Sequence, residues 1–161
     1  MNNWIKIDTK NITEARKLID KYIKSKKELK IAVASKSDEF NRMMIESCKI
    51  NLIYGFEFEN RKDRLKQRES GLNHILCKLA TDNNIKIGID FSEIMKKKDF
   101  SRAVYLGKIM QNIKLCKKNK VKMILVNVGK WNKLSLFSFL LTLGMPTNMS
   151  KYAVDNLVNI D

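Results

Sequence analysis

The chain has 161 residues, 44% of them hydrophobic, and a formal net charge of +15, so it suits one domain with a sizeable core and a polyanionic partner. A single Pro, six Gly and no repeated or Ser/Pro-rich tract argue against a linker, a solenoid or disorder, and residues 1–161 are expected to form one domain. No apolar run nears the roughly 20 residues that span a bilayer, and Met1-Asn2-Asn3-Trp4 lacks the zones of a secretory signal, so a cytoplasmic location is expected.

Short β-branched runs alternate with longer segments of helical period, the pattern of successive βα units around a parallel sheet. Strands are expected at 4–7, 30–34, 51–56, 86–89 and 122–128, and helices at 13–25, 37–48, 70–83 and 98–118. The chain then changes character, with two consecutive helices at 133–143 and 148–158 broken at Gly144-Met145-Pro146. The fold class is therefore α/β, with about five strands in a parallel sheet.

The third helix carries Leu72, Ile75, Leu76, Leu79 and Ala80 on one face behind a Ser70 cap, which turns His74, the single histidine, outward. In the fourth, Phe100, Ala103, Leu106, Met110, Ile113 and Cys116 form the expected buried stripe, leaving Arg102, Lys108, Lys114, Lys117 and Lys118 wet. Cys48, Cys77 and Cys116 have no CxxC spacing, so they read as small buried hydrophobes and not as a disulfide framework or a zinc site.

The charge is localised. Eighteen basic against six acidic residues lie between Arg61 and Lys130, which is +12 of the total, whereas residues 1–60 hold twelve against nine. Lysine outnumbers arginine 26 to 6; codon usage alone would spread that excess evenly. Right-handed crossovers bring every strand's carboxyl end to one rim, where ligands normally bind. Loops there carry Lys36, the segment Arg61-Lys62-Asp63-Arg64-Leu65-Lys66-Gln67-Arg68, and Gly129-Lys130-Trp131. Each leads into a helix amino terminus, which favours phosphate, and arginine can fork onto phosphate oxygens.

Asp8, Glu57, Glu59 and Asp90 near strand ends could hold Mg²⁺, which keeps open a metal-dependent barrel phosphohydrolase. A nonspecific nucleic-acid-binding module is a third class. No P-loop or dinucleotide fingerprint is present, so no nucleotide cofactor is expected.

Asn41-Arg42 in the second helix, Arg68-Glu69-Ser70-Gly71-Leu72-Asn73-His74 opening the third, Leu79-Ala80 on its face, and Leu143-Gly144-Met145 near the end resemble, in order and spacing, protein component 3 of archaeal ribonuclease P. The resemblance implies an incomplete TIM-barrel-like, noncatalytic subunit of the ribonucleoprotein that removes 5′ leaders from precursor tRNA. In that family catalysis and Mg²⁺ belong to the RNA, and a small RRM-like protein subunit is a partner. Carried over, the positions that matter are Asn41, Arg42, Arg68, Ser70, Gly71, Asn73 and His74; with the basic loop residues Lys36, Arg61, Arg64, Lys66 and Lys130 they are the expected RNA contacts. Against the family the chain looks shortened before Trp4, so open sheet edges that need a partner are expected.

Overall fold

A computed structural model describes residues 3–25, 28–47, 49–58, 61–66 and 68–160. Five strands, β1 (Trp4–Ile7), β2 (Lys30–Ala34), β3 (Leu52–Tyr54), β4 (Lys86–Asp90) and β5 (Met123–Val126), form one parallel sheet in the order β1-β2-β3-β4-β5. Helices α1 (Ile12–Lys24), α2 (Asp38–Glu46), α3 (His74–Asp82), α4 (Phe91–Lys96) and α5 (Asp99–Lys118) make the crossovers. The chain closes with α6 (Lys133–Thr142) and α7 (Thr147–Asp155). The sequential parallel order is that of a β/α barrel, here an arc of five strands, as the sequence leads one to expect.

Strand parity divides the core in two. Ile31, Val33, Ile53, Ile87, Ile89, Met123 and Leu125 face the helices. Ala32, Leu52, Tyr54, Ile124 and Val126 line the inner face, where Val158 and Ile160 from the last residues cover them. Gly88 lets that face curl: a Cβ there would lie 2.6 Å from the Tyr54 Cβ and 2.8 Å from the Val126 Cγ2, so side chains of β3 and β5 meet across β4.

The two sheet edges differ. Beyond β5, the Asn127 N–H donates to the Val158 carbonyl (2.8 Å) and the Val158 N–H to the Leu125 carbonyl (2.9 Å), making a single parallel bridge. Among the described residues β1 pairs only with β2.

Local chemistry sets the helix starts. Asn11, Ser37, Asn73, Asp90 and Asn132 each accept a hydrogen bond from a first-turn N–H. Asn73 therefore opens α3, three residues later than the expected Ser70 cap, and Ile75 of the expected core face is half exposed. The α4 turn is an element the sequence reading omits.

The buried side of α5 also departs from expectation. Phe100 is 81% exposed, Ala103 and Met110 are exposed, and Lys108 and Asn112 are buried with Ile109, Ile113 and Cys116. The cause is the loop that ends at Ser70: Arg68 lies against Gly107, and the Ser70 hydroxyl and the Arg68 carbonyl bond to Asn112 and Gln111, covering the polar side of this helix. Cys77 and Cys116 are buried and free, with the Cys116 thiol raised well above its ordinary value by its hydrogen bond to Cys77 and by burial. Cys48 lies outside the described residues.

Candidate nucleic-acid interface

The strand-end rim is built from the segments that follow the five strands. After β2, Asn41 holds the turn: its Oδ1 accepts the Lys36 N–H (2.7 Å), and its Nδ2 donates to the Ser35 Oγ (2.9 Å) and the Lys36 carbonyl (3.0 Å). The side chain is 0% exposed. Asn41 therefore positions Lys36 and does not itself reach the surface, contrary to its expected role as an RNA contact. Lys36 pairs with Asp8 at 2.6 Å, and the exposed Arg42 pairs with Glu46 one turn on at 2.7 Å.

The loop before α3 is a folded structure and not a loose basic strand. Arg61 reaches Asp38 at 2.6 Å, Arg64 reaches Glu69 at 2.7 Å and Arg68 reaches Asp63 at 3.0 Å. Each arginine expected to fork onto phosphate thus meets a carboxylate within the protein, and three of the segment's five positive charges are locally offset. Lys62 and Lys66 are exposed and make no ion pair among the described residues.

The loop is fastened to α5. The Ser70 hydroxyl donates to the Asn112 Oδ1 (2.5 Å), and the Gln111 Nε2 donates to the Arg68 carbonyl (2.6 Å). Gly71, at φ +81°, brings its backbone against Arg61, where a Cβ would be 2.8 Å from the guanidinium Nε. Ser70 and Gly71 are buried, so they too shape the loop from below and offer no contact surface. Asn73 caps α3 through the Leu76 N–H at 2.9 Å, which leaves His74 exposed at the first helical position.

Beneath this loop sit two unusual ionisable groups. Burial pushes the Glu57 carboxyl up to about 7, with the Asp90 charge adding to the shift and backbone N–H bonds and Lys108 opposing it. Its Oε1 has no hydrogen-bond partner among the described residues. Burial likewise pushes the Lys108 ammonium below its ordinary value; Asp63 opposes that and Arg61 adds to it.

Among the described residues, the carboxylates that could hold Mg²⁺ do not form a metal-binding group. Asp8 is held by Lys36. Asp90 accepts from the Ser92 and Glu93 N–H groups at the start of α4 and from the Asn127 Nδ2 (3.1 Å). Glu57 is fully buried, Glu59 lies outside the described residues, and among those described no group of three His, Cys, Asp or Glu could hold a metal ion. Lys130 and Trp131 are exposed beyond Gly129, with the indole edge-on to Phe91 at 5.5 Å. No helix among the described residues is long and apolar enough to cross a membrane.

Lys30, Lys86 and Lys122 stand at the opposite, amino-terminal end of the sheet, away from the loops that follow the strands. Their signal is parity: each lies two residues before an inner-face position, Ala32, Gly88 or Ile124.

The resemblance read from the motifs extends over most of the chain. Ribonuclease P protein component 3 of Methanococcus maripaludis (strain C6) is 30% identical over 115 residues, which are 71% of this chain and 45% of that protein. Component 3 of Methanosarcina acetivorans is 26% identical over 121 residues, 75% of this chain and 46% of that protein. The chain thus spans about half the length of the curated relatives it matches. No family model matches the sequence. In fold, the chain is similar to one in the cryo-EM structure of archaeal ribonuclease P with mature tRNA, with a TM-score of 0.76 and 22% identity, covering 94% of this chain and 64% of that one.

Proposed function

We propose that this chain is a noncatalytic, RNA-binding protein subunit of ribonuclease P that assists the catalytic RNA in removing the 5′ leader from precursor tRNA. One observation carries this: the similarity to component 3 proteins over 71% of the chain. The likeness in fold to a chain of an archaeal ribonuclease P agrees with it. The protein itself holds no cofactor, Mg²⁺ acts on the RNA, and the work is done in the cytoplasm. Its partners are the ribonuclease P RNA, a small RRM-like protein subunit, and precursor tRNA through the holoenzyme.

The division of labour between cations supports an RNA-facing role. Arginines 61, 64 and 68 are bound to carboxylates and shape the loop. Lys62, Lys66 and Lys130 remain as exposed point charges on the rim, suited to phosphate contact through counterion release. The metal-hydrolase alternative draws no support from Asp8 and Asp90, which are committed to Lys36 and to the α4 cap.

Binding of the full chain to ribonuclease P RNA, to an unrelated duplex and to an unrelated single strand, each across a salt series, tests the proposal. Preference for the ribonuclease P RNA at physiological salt is the expected result. Equal affinity for all three would replace the subunit with a nonspecific binding module.

A further inference from the structure

The amino-terminal end of the sheet, opposite the rim, carries a second cationic surface. Ile31, Ile87 and Met123 lie in the helix-facing core, so their neighbours Lys30, Lys86 and Lys122 fall on the inner face. Register brings two of them side by side: Ile87 pairs with Met123 and donates its N–H to the Lys122 carbonyl at 3.0 Å, which sets Lys122 next to Lys86. Lys30 opens β2 in register with Trp4.

Aromatic rings flank the row. The Lys30 Nζ lies 5.7 Å from the Trp4 ring centroid, and the Lys122 Nζ lies 5.7 Å from that of Tyr152. Tyr152 also borders a cleft of 440 Å³ between the end of α5 and the start of α7, with Lys117 and Lys120 on its wall and Pro146 and Met149 among its apolar lining.

These cations have no carboxylate partner among the described residues: no ion pair there engages Lys30, Lys86, Lys117, Lys120 or Lys122. Partial burial pushes the Lys86 ammonium below its ordinary value, and the Lys30 and Lys122 charges push the same way. Three ammonium groups gathered on a concave face repel one another, and a bound anion relieves that repulsion.

We propose that the row Lys30, Lys86 and Lys122 binds the phosphates of a single-stranded RNA segment, with an unstacked base meeting Tyr152 at the mouth of the adjoining cleft. The proposal rests on the RNA-binding function above and adds to it a second face, at the far end of the sheet. Single-stranded RNA fits better than an acidic polypeptide because Trp4 and Tyr152, half-buried against the inner face, leave part of each ring open beside the ammonium groups, where a base can stack.

The test is titration of a labelled single-stranded RNA into the full chain and into the triple variant Lys30→Gln, Lys86→Gln, Lys122→Gln at several salt concentrations. The variant is expected to bind roughly tenfold more weakly or worse, with a salt slope shallower by about 2, since each phosphate contact on a single strand contributes about 0.7. Lys86→Glu is the second variant. Its carboxylate would pair with Lys30 and Lys122, so Tm should rise while RNA affinity falls, a combination that misfolding does not produce.

Unchanged affinity and slope in the triple variant would overturn the proposal. So would displacement of the RNA by inorganic phosphate at matched ionic strength, which would mark a small-anion site, or a preference of the row for poly-glutamate over RNA. A rim variant, Lys62→Gln, Lys66→Gln, Lys130→Gln, separates the two levels. Loss of RNA binding there, with none at the lysine row, leaves the subunit function standing and removes this site; a chain that binds no RNA removes both.

Discussion

Arg68 lies across Gly107: a Cβ on Gly107 would stand 2.5 Å from the Arg68 Nε and 3.1 Å from its Cδ. The bare helix surface lets the loop lie down on α5, where Gln111 and Asn112 then hold it. Gly107→Ala should gain about 0.5–1 kcal/mol of helix propensity while lifting the guanidinium away. Because that side chain can swing into solvent, the net change in unfolding free energy should stay under about 1 kcal/mol, with faster amide exchange confined to residues 61–70. Unaltered exchange there would mean that the hydrogen bonds alone fasten the loop.

Asp63 restrains the same arginine. Asp63→Asn should free Arg68, raise RNA affinity and steepen the salt dependence by roughly one charge, whereas Arg68→Gln should do the reverse. The pair is 43% and 40% exposed, so neither change should cost much stability. Salt titrations of both variants check the signs; identical slopes would remove this side of the loop from the interface.

Asn41 and its neighbour Arg42 should behave in opposite ways despite sitting side by side. Asn41→Ala strips the three hydrogen bonds that shape the Lys36 turn, leaves the half-buried Lys36 N–H and carbonyl and the buried Ser35 hydroxyl without that partner, and should cost about 2 kcal/mol in urea denaturation. Arg42→Ala removes a surface pair one helical turn long and should cost under about 0.5 kcal/mol. Weakened RNA binding in the Asn41 variant is expected to be indirect, through Lys36.

Glu57 should make stability depend on pH. Its folded value is about 7 against an ordinary 4.5, so the folded protein holds the proton more tightly than the unfolded chain. The favourable contribution is complete below about 4.5 and is lost as pH rises toward 7, on the order of 3 kcal/mol. Glu57→Gln should flatten that decline and leave the protein more stable at pH 8 than the parent. A parent curve that rises between pH 5 and 7, with no change in the variant, would contradict the assignment.

The strands were legible because β-branched runs buried on both faces have few alternative readings, and the βα alternation with its terminal helix pair follows from them. Other features depend on contacts distant in sequence. Asn112 is buried because Ser70, 42 positions away, bonds to it, and a helical wheel cannot show that a polar face of α5 will be covered by a loop. The same holds for Arg61, whose carboxylate partner Asp38 sits at the start of α2. Counting charge along the chain located a cationic middle but not which cations remain free. The α4 turn was hidden by the lysines that follow it, Lys96-Lys97-Lys98. Lys86 and Lys122, by contrast, could have been placed on the inner face from strand parity alone.

Cleavage of precursor tRNA by ribonuclease P RNA, reconstituted with its other protein subunits and with or without this chain, tests the central claim most directly. Inclusion of the chain is predicted to raise the cleavage rate and lower the Mg²⁺ concentration required, while the chain alone cuts nothing. Equal rates and equal Mg²⁺ requirements in its absence, or cleavage by the protein without RNA, would contradict the account.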